Sequence, residues 1–372
     1  MQMNNITFRK SIFYYFVFFN LLALAKGIGL DSTDITFIFI SILSVIFLVI
    51  HILYVKFTIK QITYIALFIL LGAIITLFSK KTTIFISIIA IIFAKDIPYE
   101  RLFKSVFIVR SIAFIFMIVL GVSGIIDSSN SFRIGDNGEV IKRYSLGFVH
   151  PNITYLNFYI IILLFIYIYY KRINIVHCSW IFLLSLILFK LTDSRTGLLS
   201  VLLSLLIVWI LKSNLVKKKI VKKLIVLTPL FCNVFSILTA YYYSPNNNVI
   251  EGLNNILTGR IGLANRFLNN YKITLFGQKI VEGSNLNGAY LRIDNGYISL
   301  LLAYGIIISL IYIVLQTIIL RKFISEKRYK EILLILSFAI YGITEVYIYN
   351  IFVNISLIFL SEILYIKRGK SS

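Results

Sequence analysis

The 372-residue chain has two cysteines, three histidines and only 15 acidic residues. Cys178 and Cys232 both sit within apolar runs, which suits small buried hydrophobes better than a disulfide or a metal site. There is no GxxxxGKS or GxxxxGKT loop, no HExxH and no closely spaced His/Cys cluster, so the sequence argues against an ATPase, a zincin or a metal centre. Neither of the two long polar segments offers an Asp-x-Asp pair of the kind that chelates a metal with a nucleotide sugar. No motif asks for a cofactor. Internal repeats, heptad arrays and low-complexity tracts are also missing, beyond a general Ile/Leu/Phe/Tyr bias.

What is abundant is apolar surface. Hydrophobic residues make up 59% of the chain and aromatic residues 15%, with a mean hydropathy of +0.92. No soluble domain of this size has that balance, so the expected class is an all-α, polytopic integral membrane protein forming a single membrane domain over 1–372. The net charge of +22 would elsewhere suggest nucleic acid. Here the placement of the charges excludes it. About 23 of the 37 basic residues fall in one alternating set of connectors and about 11 in the other, an orientation bias with no contiguous basic domain.

About twelve spans are expected, at roughly 11–30, 35–55, 62–79, 83–95, 105–126, 152–170, 175–191, 197–212, 224–243, 294–320, 332–347 and 349–366. The basic connectors alternate, which predicts a multi-pass protein of the cell membrane with both termini cytoplasmic. The strongest anchor is KSNLVKKKIVKK at 212–223, read as a cytoplasmic loop drawn to anionic lipid. Arg9-Lys10 and the apolar run ending in Ala23-Leu24-Ala25 mimic a signal peptide, but are read as an uncleaved first span because more spans follow. The fourth span is short, suiting a tilted or partly re-entrant segment. The last two spans, joined near Tyr347 to Asn350, are expected to form a helical hairpin.

Two sizeable segments are expected outside the cell: 127–151, and a large loop at 244–293. The large loop is not disordered in composition. Ile256, Leu257, Ile261, Leu263, Phe267, Leu268 and Tyr271 recur at helical spacing with Arg260 and Arg266 among them, predicting short amphipathic structure that delivers arginine to the membrane face. The connector Thr192-Asp193-Ser194-Arg195-Thr196-Gly197 opens on the same predicted side. The informative polar residues therefore share one face.

Each candidate has a bland reading beside the functional one. Lys142 and Arg143 precede His150-Pro151-Asn152 at the start of the sixth span. Pro151 is ordinary helix punctuation, and Asn152 can satisfy free backbone groups there. A lone histidine at a helix start is more often structural than catalytic. His51 and His177 lie in or beside spans and read as packing. Ser194 or Thr196 can cap the eighth span, and Asp193 can pair with Arg195 or Lys190. Against that, arginine at a membrane boundary is costly to desolvate without an anionic partner. Arginine also suits phosphate, because its planar guanidinium donates paired hydrogen bonds and stays charged. Arg143, Arg195 and Arg260 on one face can hold a pyrophosphate and stabilise charge on a leaving group. Asp294 is the best-placed carboxylate for a general base; its bland reading is a cap or a partner for Arg292. The intramembrane charges Lys26, Arg110, Lys190, Glu345 and Glu362 mostly fall near predicted span ends, which disfavours a polar transport path.

At these residues the chain resembles the Wzy-type O-antigen and capsular polysaccharide polymerases, and the related O-antigen ligases. The resemblance runs through Arg143, Gly147-Phe148-Val149-His150-Pro151-Asn152 and Asp193-Ser194-Arg195-Thr196-Gly197. It continues through Thr258-Gly259-Arg260 and Asp294-Asn295-Gly296-Tyr297 to Tyr304-Gly305, covering about 143–307. It implies a GT-C-like, metal-independent membrane glycosyltransferase that joins oligosaccharide repeat units carried on undecaprenyl pyrophosphate, with the flippase and chain-length regulator as expected partners. Arg195 and Arg260 would meet the departing pyrophosphate, with Arg143, Asn152, Asp193, Tyr290, Asn295 and Tyr297 binding substrate. Where many relatives carry a His-Asn pair this chain has Asp294-Asn295, which leaves two candidates for the base, Asp294 and His150. A ligase moving finished glycan and a transporter of lipid-linked oligosaccharide are the alternatives.

Overall fold

The structure, a computed structural model, describes residues 5–31, 34–126, 128, 130–134, 138–284 and 290–365. In chain order its helices are α1 (Asn5–Gly27), α2 (Ile35–Tyr54), α3 (Ile59–Ser79), α4 (Thr83–Ile92), α5 (Tyr99–Val122), α6 (Pro151–Ile168) and α7 (Ile175–Thr192). There follow α8 (Arg195–Lys212), α9 (Lys219–Tyr241), α10 (Asn248–Ile256), α11 (Arg260–Asn270), α12 (Gly296–Ser325), α13 (Tyr329–Tyr341) and α14 (Ser361–Leu364). Two small antiparallel hairpins interrupt the helices. In one, β1 (Ser131–Ile134) pairs with β2 (Val140–Arg143); in the other, β3 (Gly283–Ser284) pairs with β4 (Tyr290–Leu291).

Among the described residues, eight helices are long and apolar enough to cross a membrane: α2, α3, α5, α6, α7, α8, α9 and α12. The architecture is that of an all-α polytopic membrane protein. The end of the chain departs from the expected pair of long spans. After α13 the backbone turns through 3-10 segments Val346–Tyr349 and Ile355–Leu360 before α14. The helical stretch Ile355–Leu364 covers only about 15 Å, half a hydrocarbon core. Asn350 and Asn354 explain the break. Asn350 accepts from Phe352 N at 3.0 Å and Asn354 donates to Ile348 O at 2.7 Å, so amides satisfy the backbone that a helix would have satisfied.

The chain forms two compact units. The first holds Met1–Lys56 and Asp96–Leu206, the second Phe57–Lys95 and Ile207–Ser372, so the division falls inside α8. In the first unit α6 is the enclosed helix, with 67% of its span buried against 17% for α2 and 22% for α5 and α7. The outer faces of α2, α5 and α7 keep Phe39, Ile112 and Trp180 exposed, as suits contact with lipid tails. α1 lies along α2, stacking Tyr14 on Tyr54. His51 is buried there and hydrogen-bonds to Ser11 O at 2.8 Å, in line with a packing role. His177 differs. It occupies the first turn of α7, where its backbone N–H donates to the capping Asn174 at 3.2 Å. Arg110, expected near a span end, lies at mid-helix because α5 starts six residues earlier than the predicted span. It is fully buried and donates to Asn157 of α6 at 2.7 Å.

In the second unit α12 is central, and it is not one continuous helix. Gly305 has φ 88° and ψ 171°, a conformation open to glycine and costly for other residues. Beside it runs the loop segment 274–278. Ile306 donates to Thr274 O at 3.0 Å, and Gln278 donates to Ala303 O at 3.1 Å. A Cβ on Gly305 would stand 2.3 Å from Leu275 O. The loop thus supplies hydrogen bonds that the broken helix gives up, and irregular backbone in a membrane segment is tolerated only when protein covers it this way. Near the other end of α12, Lys322 and Arg328 hold Glu362 at 2.6 and 2.8 Å, so that carboxylate belongs to an ion-pair cluster.

Candidate functional site

In the first unit the polar motifs gather at the C-terminal end of α7. The β1–β2 hairpin docks there: Tyr144 N donates to Leu191 O at 2.8 Å, and Arg143 Nε donates to Thr192 O at 2.9 Å. These are carbonyls that the helix end leaves without intrahelical donors, and the helix dipole favours a cation beside them. Arg143 also donates from Nη2 to Asn152 Oδ1 at 2.7 Å. Asp193, just past α7 in the left-handed region (φ 45°), pairs with Arg133 at 3.2 Å and with Arg195 Nε at 4.0 Å. Two arginines therefore pair with one carboxylate, and a third, Arg143, binds the carbonyl of the preceding residue. The Arg133 and Arg195 side chains stay 26% and 34% exposed, so their guanidiniums remain reachable. Close packing explains Gly197: a Cβ there would meet the Tyr155 ring of α6 at 2.3 Å.

His150 is the N-cap of α6, with Nδ1 accepting from Asn152 N at 3.1 Å. An accepting Nδ1 is unprotonated, which places the ring proton on Nε2 and makes the imidazole part of the helix start. This is the structural reading of that histidine.

In the second unit the predicted amphipathic stretch divides in two. Thr258 and Gly259 both take positive φ, ending α10 and starting α11. Leu257, Ile261, Ala264 and Phe267 turn inward, and so does Arg260, which is only 5% exposed; Arg266 points outward. The arginine expected at the membrane face is thus an internal one. It donates from Nε to Thr344 O at 2.7 Å, from Nη1 to Thr258 Oγ1, and from Nη2 to Glu345 Oε1 at 3.1 Å.

The turn 342–345 grips the start of α12 as well. Gly296 N donates to Gly342 O at 2.8 Å, and Asn295 Nδ2 donates to Ile343 O and Ser236 Oγ, both at 3.0 Å. Asn295 Oδ1 caps α12 by accepting from Tyr297 N and Ile298 N at 3.0 Å. Both polar atoms of this amide are thus committed within the fold. Tyr297 is buried, its hydroxyl donating to Ala339 O at 2.7 Å. Asn295 and Tyr297, both expected to bind substrate, thus have side-chain hydrogen bonds within the fold. The Tyr290 side chain lies outside the described residues.

Asp294 precedes α12 and feels Arg260, Arg292 and Glu282; Glu345 feels Arg260, Asp294 and Arg292. Both lie outside the eight spans. Burial raises each carboxyl above the usual carboxylate range, opposed by the neighbouring guanidiniums. Glu282 in turn stands 3.8 Å from Lys81. Asp294 is therefore a buried carboxyl in the field of two guanidiniums, Arg260 and Arg292.

Sequence motifs single out neither Arg133 nor Glu345. A signal exists for Arg133: Asn137-Gly138 between alternating residues is a hairpin signature, and its register puts Arg133 opposite Ile141, two residues from Arg143. For Glu345 the signal is weaker, a lone carboxylate in an apolar stretch that demands a cation. Among the described residues no three His, Cys, Asp or Glu side chains converge on a possible metal position. No family model, curated protein or solved structure matches the chain.

Proposed function

We propose that the chain is a polysaccharide polymerase of the cytoplasmic membrane, with both termini in the cytoplasm and its polar loops outside. It would be a GT-C-like glycosyltransferase joining oligosaccharide repeat units carried on undecaprenyl pyrophosphate. The observation that carries this reading is the gathering of Arg133, Arg143 and Arg195 at the end of α7, the first and last paired with Asp193 and Arg143 bound to the Thr192 carbonyl. Partly exposed guanidiniums in excess over carboxylate suit a polyanionic group such as pyrophosphate. In the proposed reaction an acceptor hydroxyl attacks the anomeric carbon of the donor sugar, the bond to pyrophosphate breaks, and the hydroxyl proton passes to a base. Arg195 meets the charge on the leaving group, and Arg260 is the second unit's candidate for that role. The base candidates are His150 in the first unit, whose Nδ1 accepts from Asn152 N, and Asp294 in the second. Arg195→Ala tests the reading: polymer of unchanged length and yield would refute it.

One observation favours a different reading. Arg110 is a buried cation at the middle of a span, and such residues mark transport paths in membrane carriers. Sealed vesicles separate the two. Uptake of lipid-linked oligosaccharide without formation of a new glycosidic bond would identify a transporter.

A further inference from the structure

Glu345 belongs to no motif of the chain, yet it is the carboxylate that holds Arg260. Its side chain is 11% exposed and that of Arg260 is 5% exposed. Among the described groups that act on the two carboxyls, Arg260 and Arg292 oppose Asp294, Glu345 and Glu282, with Lys81 3.8 Å from Glu282. An anion entering this group adds negative charge to it. Of the three bonding nitrogens of Arg260, Nε is committed to the Thr344 carbonyl and Nη1 to Thr258, and Nη2 faces Glu345. Nη2 keeps a second N–H, so a phosphate oxygen that binds there stands close to the Glu345 carboxylate, and the two anions repel. A second anion beside a buried carboxylate disfavours its charged form, and protonation removes the repulsion.

We infer that Glu345 positions Arg260 in the empty site and takes up one proton from solvent when a pyrophosphate group binds there. The inference rests on the assignment of Arg260 to pyrophosphate. The step balances simply: one Glu345 oxygen gains a proton, no bond of the ligand breaks, and Nη2 donates its second hydrogen to a phosphate oxygen. The charged groups that face Glu345 are Arg260 from α11, and Arg292 and Asp294 from the segment leading into α12. Asp294 is the rival acceptor for the same proton, so it supplies the control.

The test is calorimetric titration of inorganic pyrophosphate into the full-length protein in detergent, at a pH about one unit above neutrality, where the free Glu345 carboxyl is mostly ionised, in two buffers of different ionisation enthalpy. Titration of the ligand itself is common to all variants and cancels on comparison. Relative to Glu345→Gln, the wild type is expected to take up about one additional proton, and its affinity to fall by about tenfold per pH unit above the Glu345 pKa. Glu345→Gln, which keeps an acceptor for Nη2, is expected to bind with the flatter profile, and Asp294→Asn to retain the extra uptake. Equal uptake in wild type and Glu345→Gln would overturn the inference, as would loss of the extra proton in Asp294→Asn. Should Glu345→Gln not fold, Glu345→Asp takes its place and must bind with uptake at a shifted pH. An unchanged profile there counts against the inference. Absence of pyrophosphate binding by wild type that still makes polymer overturns the inference alone. Absence of polymer as well removes the functional reading beneath it.

Discussion

Arg143 and Asn152 join the first polar loop to the start of α6 through a single 2.7 Å charge-assisted hydrogen bond. The same guanidinium holds the last carbonyl of α7, so one side chain ties β2 to two helix ends. Asn152→Ala removes the acceptor while Thr192 O remains. The expected cost is about 1.5–3 kcal/mol, read as a lowered Tm, with KM for lipid-linked donor rising more than kcat falls. An unchanged KM would show that Arg143 has no part in binding.

Arg195 is a cleaner probe of chemistry than Arg260. Its ion pair with Asp193 is partly exposed and contributes no more than about 1 kcal/mol to folding. Arg195→Ala should therefore fold normally and lose at least about a hundredfold in chain growth. Arg260→Ala strands the buried Glu345 and is expected to lose about 3–5 kcal/mol of stability. Chain growth in Arg260→Lys, which keeps the charge and loses the paired donors, reports on function with less damage to the fold.

Arg133 makes a third test. Arg133→Ala leaves Asp193 to Arg195 alone and lowers the positive charge at the end of α7. Donor binding should weaken with little change in Tm, and the loss should shrink as salt is raised. A salt-independent effect would assign Arg133 to structure only.

The Asp294 carboxyl is raised by burial, which sets a pH dependence with a definite sign. As a base it works when unprotonated, so the rate should climb as pH rises through its folded pKa, with the acidic limb above the ordinary carboxylate value of about 4. Stability runs the other way. Below the unfolded pKa both states hold the proton and the group contributes nothing. As pH rises from the unfolded to the folded pKa the native state keeps a proton that the unfolded state has lost, so the slope is negative. Asp294→Asn should abolish the acidic limb of the rate and flatten this decline in Tm. A limb that survives in Asp294→Asn would move the base elsewhere.

The break in α12 yields a prediction about folding. Gly305→Ala forces a strained conformation and a clash with Leu275 O, for an expected loss of about 1–3 kcal/mol from the backbone term, plus any repacking. Thermal unfolding in detergent measures it. A Tm equal to wild type would mean that the loop segment 274–278 does not hold the helix open.

The long apolar runs were legible because eight of them fold into single helices whose length and composition suit a bilayer. The last two expected spans were not, since apolar content is shared by a long helix and by a packed irregular segment. Only the amides of Asn350 and Asn354 mark the difference. Arginine positions were readable as charges at helix ends, and the structure places Arg195 beside Asp193 and Arg143 on the Thr192 carbonyl in the first unit. Burial was not readable. Periodicity put Arg260 on an amphipathic helix, but the positive φ at Thr258 and Gly259 that rotates it inward is a tertiary choice. Asn295 and Tyr297 looked available to a ligand because the partners that consume them, Ser236, Ala339 and Ile343, are 42 to 59 residues away.

The most direct measurement is a polymerisation assay with purified protein in detergent, chemically defined undecaprenyl-pyrophosphate repeat units and EDTA, the products resolved by gel. The account predicts a ladder of repeats from wild type and none from Arg195→Ala. A single transfer product, or bound substrate with no new linkage, would contradict it and point to a ligase or a transporter.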